Sequence, residues 1–321
     1  MNRGLSLKVQ SEPIPLFHKQ QPHTLVPIDH LNQIVLLSYS NLSRQAINLA
    51  LFHGIPLTFL THQRDYLECW EAQPKSPAKY LAQQKKRSQD LEFIRTTAES
   101  IIRAKLHNCC TLILKFSSSQ KTVNAMALLM DDLPLTESFN VLRSYEAVAA
   151  EFYFSALAQL LPSNFHFVKR SQHPGFDPIN NLLNLGYALL SQEIYEILHS
   201  SGLDIHFGNL HLSVHNLAPL VSDFMAEFRA PIVEELVVHL AISQIITPEE
   251  FTPADDQDGI YLYPNALKKF IEHWDKKLQT KVIHPYSGKV TYLHCLELQV
   301  QEYLSCLLGE QKYYRPFVLV E

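Results

Sequence analysis

Residues 177–190 read DPINNLLNLGYALL and are the most informative segment of the chain for its fold. It opens a pattern of apolar residues at helical spacing that extends from Pro178 to Ser200. The same kind of spacing recurs on both sides of this stretch. It predicts an amphipathic helix from Leu91 to Lys105 and further helices over 145–161, 217–246, 265–278 and 292–308. We therefore expect the larger, C-terminal part of the chain to be α-helical.

The N-terminal part of the chain has a different pattern. Short apolar runs rich in branched residues predict strands at 25–28, 33–37 and 55–60. A helix-like stretch begins at Ser43 and closes at Gly54. Residues 73–77, Gln-Pro-Lys-Ser-Pro, are typical of a linker. We predict an α+β protein, with a small β-rich N-terminal domain (1–77) and a larger all-α C-terminal domain (78–321).

The composition excludes several classes of protein. With 46% hydrophobic and 18% charged residues and a net charge of −5, the chain is typical of soluble globular proteins. No apolar run could span a bilayer, and residues 1–10 lack the apolar core of a secretory signal, so we expect a cytoplasmic protein. The nine Gly residues form no nucleotide-binding loop. Five Cys residues without a C-x-x-C pair predict buried, reduced thiols.

Four polar residues are candidates for chemistry. Asp223 and Glu227 are four residues apart on a predicted helix, on the face opposite an apolar stripe, so their carboxylates are neighbours. Adjacent carboxylates suit a divalent cation with oxygen ligands, although a solvated helix face gives the same pattern. Glu146 lies beside small residues, and His211 lies at a turn before the helix of Asp223. Each of these two is consistent with a ligand and with a surface position.

Basic residues cluster locally despite the acidic total. Such a cluster suits contacts with DNA phosphates, and a solvated run of charge is the alternative. Most of them lead into or line the helix that begins at Leu91, and the others lie close to the helices of Pro178 and Asp223. The candidates for DNA binding are Lys85, Lys86, Arg87, Arg95, Arg103, Lys105, Lys169, Arg170 and Arg229.

Three separated segments carry a resemblance to a known family. Residues 144–154, SYEAVAAEFYF, are similar to its motif Gly-x-Glu-Gly-x-x-Ala-x-x-Tyr-Phe. Residues 170–190 are similar to its Arg…Pro-x-Asp-Pro-x-Asn-x-Leu-Leu-x-x-Gly-Tyr-x-Leu-Leu. Residues 202–229 contain counterparts of its Gly-Leu-Asp, Gly-x-Leu-His and Asp-Leu-Met-Glu-x-Phe-Arg, and residues 314–317 resemble its tail. The chain thus resembles the CRISPR adaptation integrases, the family of the first CRISPR-associated protein.

The resemblance implies a function, partners and a cofactor. It implies spacer acquisition by a metal-dependent DNA endonuclease and integrase, which joins the 3′-hydroxyl ends of DNA fragments to a CRISPR repeat by transesterification. It implies Mn²⁺ or Mg²⁺ as the ion, a homodimer held by the β-rich domain, and double-stranded DNA and the second CRISPR-associated protein as partners. The family's three metal ligands fall on Glu146, His211 and Ala226 of this chain.

Alanine cannot bind a metal ion, so the third ligand is missing at Ala226. The first motif also has Ser144 and Ala147 where the family has glycines. Asp223 or Glu227 would have to replace the lost ligand in an active enzyme. Three interpretations therefore remain: an integrase with Glu146, His211, Asp223 and Glu227 around the ion; a non-catalytic, DNA-binding or scaffolding member of the family; or a helical DNA-binding protein outside it.

Overall fold

The computed structural model describes part of the N-terminal region and most of the rest of the chain. The described residues are 5–7, 14–18, 21–26, 31, 34–37, 41–42, 44–53, 55, 57–60, 66–70 and 79–320, without 117–119, 134–137, 172–176, 212–217 and 253–259. The predicted linker at 73–77 lies outside them. The division into domains 1–77 and 78–321 therefore stays a prediction.

Short strands occupy the described N-terminal residues, together with one helix. They are β1 (Leu5–Leu7), β2 (Ile14–His18), β3 (Gln21–Val26), β4 (Ile34–Leu37), β5 (Asn41–Leu42), α1 (Arg44–Phe52), β6 (Leu57–Leu60) and β7 (Tyr66–Trp70). One sheet has the order β3-β2-β1-β5 and another the order β4-β6-β7. The parallel strands β4 and β6 are connected through α1, whose Ala46 and Ala50 are buried.

The rest of the described chain is mainly helical. Its elements are α2 (Leu81–Arg87), α3 (Leu91–Phe116), α4 (Gln120–Asp132), α5 (Phe139–Leu160), α6 (Pro178–Ser200), α7 (Pro219–Phe228), a π-helical segment (Arg229–Glu234), α8 (Glu235–Ile242), α9 (Pro264–Leu278), β8 (Lys281–His284), β9 (Gly288–Thr291) and α10 (Tyr292–Leu308). No helix of the described residues is both long and apolar enough to cross a membrane.

Helix α6 has the predicted bounds because its sequence fixes its beginning. The side chain of Asp177 accepts a hydrogen bond from the backbone N–H of Asn180 at 2.8 Å, and Pro178 supplies the first residue of the helix. Gly186 allows the close approach of the π-helical segment, because a Cβ at this position would lie 2.4 Å from Cγ1 of Val233. α6 therefore packs at the centre of the helical part.

The helix predicted over 217–246 is divided into α7, the π-helical segment and α8. Pro231 lies within the π-helical segment and has no N–H to donate to the carbonyl of Glu227, four residues earlier. The side chain of Asn108 on α3 donates to that carbonyl instead, with its Nδ2 at 2.8 Å. The change of helix type is thus compensated by a hydrogen bond from a neighbouring helix.

Several elements were not expected from the sequence. Helices α2 and α4 and the antiparallel hairpin of β8 and β9 have no counterpart among the predicted elements. Four cysteines agree with the prediction of buried, unpaired thiols: Cys109, Cys110, Cys295 and Cys306. The side chain of Cys69 and the expected loop at 253–259 lie outside the described part of the chain.

Candidate functional site

Glu146, the first of the expected metal ligands, is paired with a lysine. It lies on α5, and its Oε1 accepts a hydrogen bond from Nζ of Lys105 on α3 at 2.6 Å. The two side chains are 18% and 16% exposed, so the ion pair is largely shielded from water. Burial acts to raise the pKa of Glu146, but Lys105, with smaller contributions from His211 and Arg229, lowers that pKa overall. The charge of Glu146 is therefore balanced by the protein's own side chains.

His211, the second expected ligand, is oriented by Asp223 of α7. Its Nδ1 lies 2.8 Å from Oδ1 of Asp223. The same carboxylate accepts hydrogen bonds from the backbone N–H groups of Asn209, Leu210 and His211. Because Nδ1 faces the carboxylate, Nε2 is the ring nitrogen that remains for another partner. Asp223 is fully buried and acts as the anchor of the segment that carries His211.

Two further contacts fix the segment of His211. Gly208 lies so close to its surroundings that a Cβ would be 2.7 Å from both the carbonyl oxygen of His211 and Cβ of Pro219. Arg143 on α5 donates from Nη2 to the carbonyl oxygen of Leu210 at 2.9 Å. Glycine is therefore required at position 208, and Arg143 links the segment to the helix of Glu146.

Glu227, the second carboxylate of α7, binds the C-terminal tail. The hydroxyl of Tyr314 donates to its Oε1 at 2.6 Å, and the backbone N–H of Phe317 donates to its Oε2 at 2.7 Å. Nε2 of Gln299 on α10 lies 3.3 Å from Oε2. Burial raises the pKa of Glu227 to about 8, although these donors lower it in part. Both oxygens are thus engaged by the tail and by α10.

The expectation of a solvated face on this helix is wrong. Asp223 and Glu227 are 0% exposed and Ala226 is 1% exposed, so α7 is enclosed on the side of its acidic residues as well as on its apolar stripe. Although the two carboxylates are neighbours in the helix, they bind different parts of the chain. Asp223 holds the His211 segment, and Glu227 holds the tail.

Glu146, His211, Asp223, Ala226 and Glu227 are together called the centre. Their side chains do not fit a divalent cation. Within the described ranges, no three His, Cys, Asp or Glu side chains form a group that could hold a metal ion. Asp223 and Glu227 are engaged as described, and Ala226 has no lone pair. The remaining ligands are Glu146, already paired with Lys105, and His211, and such a pair would bind a hard cation weakly. No reaction step is therefore assigned to a metal ion in this chain.

Two arginines lie against one tyrosine beside this centre. The guanidinium carbons of Arg170 and Arg229 are each 5.2 Å from the centroid of the Tyr187 ring. The Tyr187 hydroxyl donates to Oε1 of Glu234 at 2.6 Å, and the hydroxyl of Tyr153 donates to the other oxygen. Arg170 also donates to the amide oxygens of two α6 residues, Asn180 and Asn184. Tyr187, Tyr153 and Glu234 were not identified from the sequence, although Tyr187 lies within the segment 177–190.

The other basic candidates are distributed over α2, α3 and the segment before α6. Lys85 and Lys86 are exposed on α2. Arg87 pairs with Asp90 and packs on the ring of Phe93, and Arg103 pairs with Glu99. Arg95 lies half-buried on α3 and Lys169 is exposed. The structure thus gathers only Lys105, Arg170 and Arg229 around Glu146 and Tyr187, and leaves the others spread along the surface.

Comparison with known proteins identifies the family. The model of the family described as "CRISPR associated protein Cas1" matches residues 1–276. The chain belongs to the Cas1 family. Among curated proteins, it is 29% identical over 295 residues to the CRISPR-associated endonuclease Cas1 3 of Thermus thermophilus, and this match covers 91% of the chain and 87% of that protein.

Solved structures agree with the Cas1 fold. The chain is similar to part of a Cas6-RT-Cas1–Cas2 complex, with a TM-score of 0.83 and 22% identity over 99% of the chain. It spans 35% of that longer protein. It is also similar to a casposase bound to integration product, with a TM-score of 0.78 and 22% identity over 97% of this chain and 90% of that one. At these identities the likeness establishes the fold.

As a Cas1 protein, the chain departs from its family's motifs at the centre itself. Glu146 and His211 are present, and the segment of His211 is anchored by Asp223. The position at which the resemblance implies a third ligand is Ala226, deep in the core. Ser144 and Ala147, which replace glycines of the family motif, are exposed beside Glu146 on α5. The departures therefore lie at the positions of the expected metal ligands and beside them, while the packing of α6 against the π-helical segment is tight.

Proposed function

We propose that this protein takes part in the insertion of DNA fragments into CRISPR arrays, as a DNA-binding Cas1 subunit that assembles with Cas2. Its membership of the Cas1 family carries this proposal. A relative is named as an endonuclease, and similar structures include a Cas1–Cas2 complex and a casposase with its integration product. In the reaction, the 3′-hydroxyl of a fragment attacks a phosphodiester of the repeat. One P–O bond forms, another breaks, and a 3′-hydroxyl is released on the repeat strand.

A specific observation favours a non-catalytic form of this role for the chain itself. Nζ of Lys105 lies 2.6 Å from Oε1 of Glu146, and Ala226 is the residue at the third ligand position. Asp223 and Glu227, the two possible replacements, are used to hold the His211 segment and the tail. We therefore propose that a separate active subunit supplies the Mn²⁺- or Mg²⁺-dependent chemistry, and that this chain contributes DNA binding and assembly.

The proposed DNA surface has two parts. Lys85 and Lys86 on α2 are exposed, and with Arg95, Arg103 and Lys169 they offer positive charge to the phosphates of a duplex. Arg170 and Arg229 flank Tyr187 near the centre. Guanidinium groups suit phosphate oxygens because they donate two parallel hydrogen bonds. We propose that the first group binds the body of the duplex and the second a phosphate close to Glu146.

We also propose a homodimer held by the N-terminal strands. The resemblance implies this arrangement, and β1–β7 provide sheet edges of the kind that pair between chains. The full chain is then expected to be a dimer in light scattering, and the fragment 78–321 a monomer. A full-length monomer would contradict this part of the proposal.

The proposed function is tested by strand transfer. A labelled short duplex is incubated with a repeat-bearing plasmid, Cas2 and Mn²⁺, with this protein alone or together with an active Cas1 of the same cell. We expect little transfer by the protein alone and more transfer when it is added to the active subunit. Full strand transfer by this protein alone, abolished by Glu146→Gln, would support the interpretation as an active integrase over that as a non-catalytic subunit. No DNA binding and no effect on the active subunit would contradict the proposed function.

A further inference from the structure

We infer that the centre around Glu146 binds a DNA phosphate without a metal ion, because Lys105 supplies the fixed positive charge at this carboxylate. The inference rests on the proposed function and specifies how one part of the DNA surface works. Its ligand is a phosphodiester group of duplex DNA. The step is binding only, so no bond is made or broken.

Lys105 is positioned where a cation is needed. Its Nζ lies 2.6 Å from Oε1 of Glu146, and both side chains are mostly buried between α3 and α5. A pair in this environment is held more firmly than a pair in water, because screening by solvent and salt is weaker. An incoming divalent cation would have to displace the ammonium group and meet like charge.

The positive charge at the centre is not confined to Lys105. Arg229 also acts on the charge of Glu146, and the ring of His211 lies near that carboxylate. Arg229 and Arg170 lie against the same ring of Tyr187. Among the described residues, neither arginine forms an ion pair with a carboxylate, and Nε of Arg229 is buried without a hydrogen-bond partner. The positive charge of both guanidinium groups is therefore not neutralised by a described carboxylate and remains available to an anion.

The surrounding contacts keep these groups in place. The Tyr187 hydroxyl is bound to Glu234, so the ring on which the two arginines lie is fixed. His211 is held by Asp223, and Arg143 ties the neighbouring Leu210 to the helix of Glu146. A preorganised set of donors binds an anion with a smaller loss of side-chain entropy. The phosphate oxygen of the inferred site is therefore expected among Lys105, His211 and Arg229.

This inference makes an unusual prediction for Glu146. In a metal-dependent site, replacement of the carboxylate removes a ligand and weakens the binding of DNA through the ion. In the site inferred here, Glu146 is the negative charge that competes with the phosphate for Lys105. Glu146→Gln is therefore expected to tighten the binding of DNA and to leave it independent of Mn²⁺.

The experiment measures binding of the full-length protein to a labelled duplex by fluorescence anisotropy, in EDTA and in Mn²⁺ at constant ionic strength. Four variants are compared with the unaltered protein: Glu146→Gln, Lys105→Met, the double variant Lys105→Met/Glu146→Gln, and Lys115→Met. Lys115 is a matched control, because it also lies on α3 and pairs with a carboxylate, Oε1 of Glu235, at 2.7 Å. The double variant keeps the test valid if Lys105→Met alone fails to fold, because it leaves no unpaired charge.

We expect the unaltered protein to bind DNA with equal affinity in EDTA and in Mn²⁺. Glu146→Gln is expected to bind DNA more tightly, and Lys115→Met is expected to show no such tightening. Compared with Glu146→Gln, the double variant is expected to lose one phosphate contact, which lowers the slope of log affinity against log salt by about 0.9. Binding that is lost in EDTA and restored by Mn²⁺, or weakened by Glu146→Gln, would overturn the inference and leave the proposed function standing. Absence of binding in both conditions would overturn the proposed function as well.

Discussion

The regions around Glu227 and around Glu146 use the same residue type for different purposes. Glu227 is fully buried, and its donors are a tyrosine hydroxyl, a backbone N–H and a glutamine amide. Glu146 is partly open to solvent, and its partner is the ammonium group of Lys105. Burial raises the pKa of Glu227, whereas the charge of Lys105 keeps the pKa of Glu146 low. The first carboxylate connects α7 to the tail and to α10, and the second forms an ion pair that is partly open to solvent.

The partner of a carboxylate, and not its spacing within the helix, decides what the carboxylate does. Asp223 and Glu227 are one helical turn apart, which is the spacing of a paired ligand set. In the structure each is used by a different segment that returns from elsewhere in the chain, residues 209–211 in one case and 314–317 in the other. A pattern within one helix contains no information about such segments.

The largest loss of stability is expected at Glu227. Glu227→Ala leaves the Tyr314 hydroxyl, the Phe317 N–H and the Gln299 amide without their acceptor in a dry environment. We expect a loss of about 3 kcal/mol or more in the free energy of unfolding, measured with urea. Glu227→Gln is the control, because it keeps one acceptor and its amide can donate to the Tyr314 hydroxyl. Equal stability of Glu227→Ala and the unaltered protein would contradict the assignment of Glu227 to the tail.

A somewhat smaller loss is expected at Asp223, because the side chain of His211, one of its partners, is partly exposed. Asp223→Ala removes the acceptor of three backbone N–H groups and of the His211 ring. Water can then accept some of these hydrogen bonds in place of the carboxylate. We expect a loss of about 2 kcal/mol in the free energy of unfolding. Amide exchange should increase at residues 209–211 and not in the tail at 314–317. Exchange that increases equally in both segments would show that the two carboxylates do not act separately.

How much the sequence could predict depends on how local each feature is. The bounds of α6 were predicted because the helical pattern, Asp177 and Pro178 all lie within one segment. The candidates Glu146 and His211 followed from the resemblance. In the structure, Lys105 pairs with Glu146 and Asp223 orients His211. The burial of Asp223 and Glu227 was missed, because the segments that bind them lie outside their helix. Residues 209–211 bind Asp223, and the tail and α10 bind Glu227. The break in the helix at 229–234 does have a local signal in Pro231, whereas the compensating hydrogen bond comes from Asn108, which is distant in sequence.

Ala226→Glu adds a carboxylate at the position where the resemblance implies a third metal ligand. Because Ala226 is 1% exposed, a glutamate there must enter the core, and we expect a cost of about 1–3 kcal/mol in the free energy of unfolding. We also expect no Mn²⁺ binding by this variant while Lys105 holds Glu146, and binding by Ala226→Glu/Lys105→Met. Isothermal titration calorimetry measures the binding of Mn²⁺ by the two variants. Tight binding by Ala226→Glu alone would show that Lys105 does not exclude the ion.

A separate effect is expected on the pH dependence of stability. The pKa of Glu227 is raised from 4.5 to about 8 in the folded protein, so between these values the folded state binds more protons than the unfolded state. The contribution of Glu227 to stability is therefore present in full below pH 4.5 and is lost as the pH rises toward 8. Glu227→Gln removes this contribution, so its Tm should fall less steeply with rising pH across that window. A parallel decline of Tm in both proteins would contradict the raised pKa.

The central claim is that the cation at Glu146 is Lys105 and not a metal ion. Titration of the full-length protein with Mn²⁺, followed by the electron paramagnetic resonance signal of the free ion, tests this claim directly. We predict the same free-ion signal with the protein as with buffer, and the same result for Glu146→Gln. Stoichiometric binding of Mn²⁺ by the unaltered protein, lost in Glu146→Gln, would contradict the account.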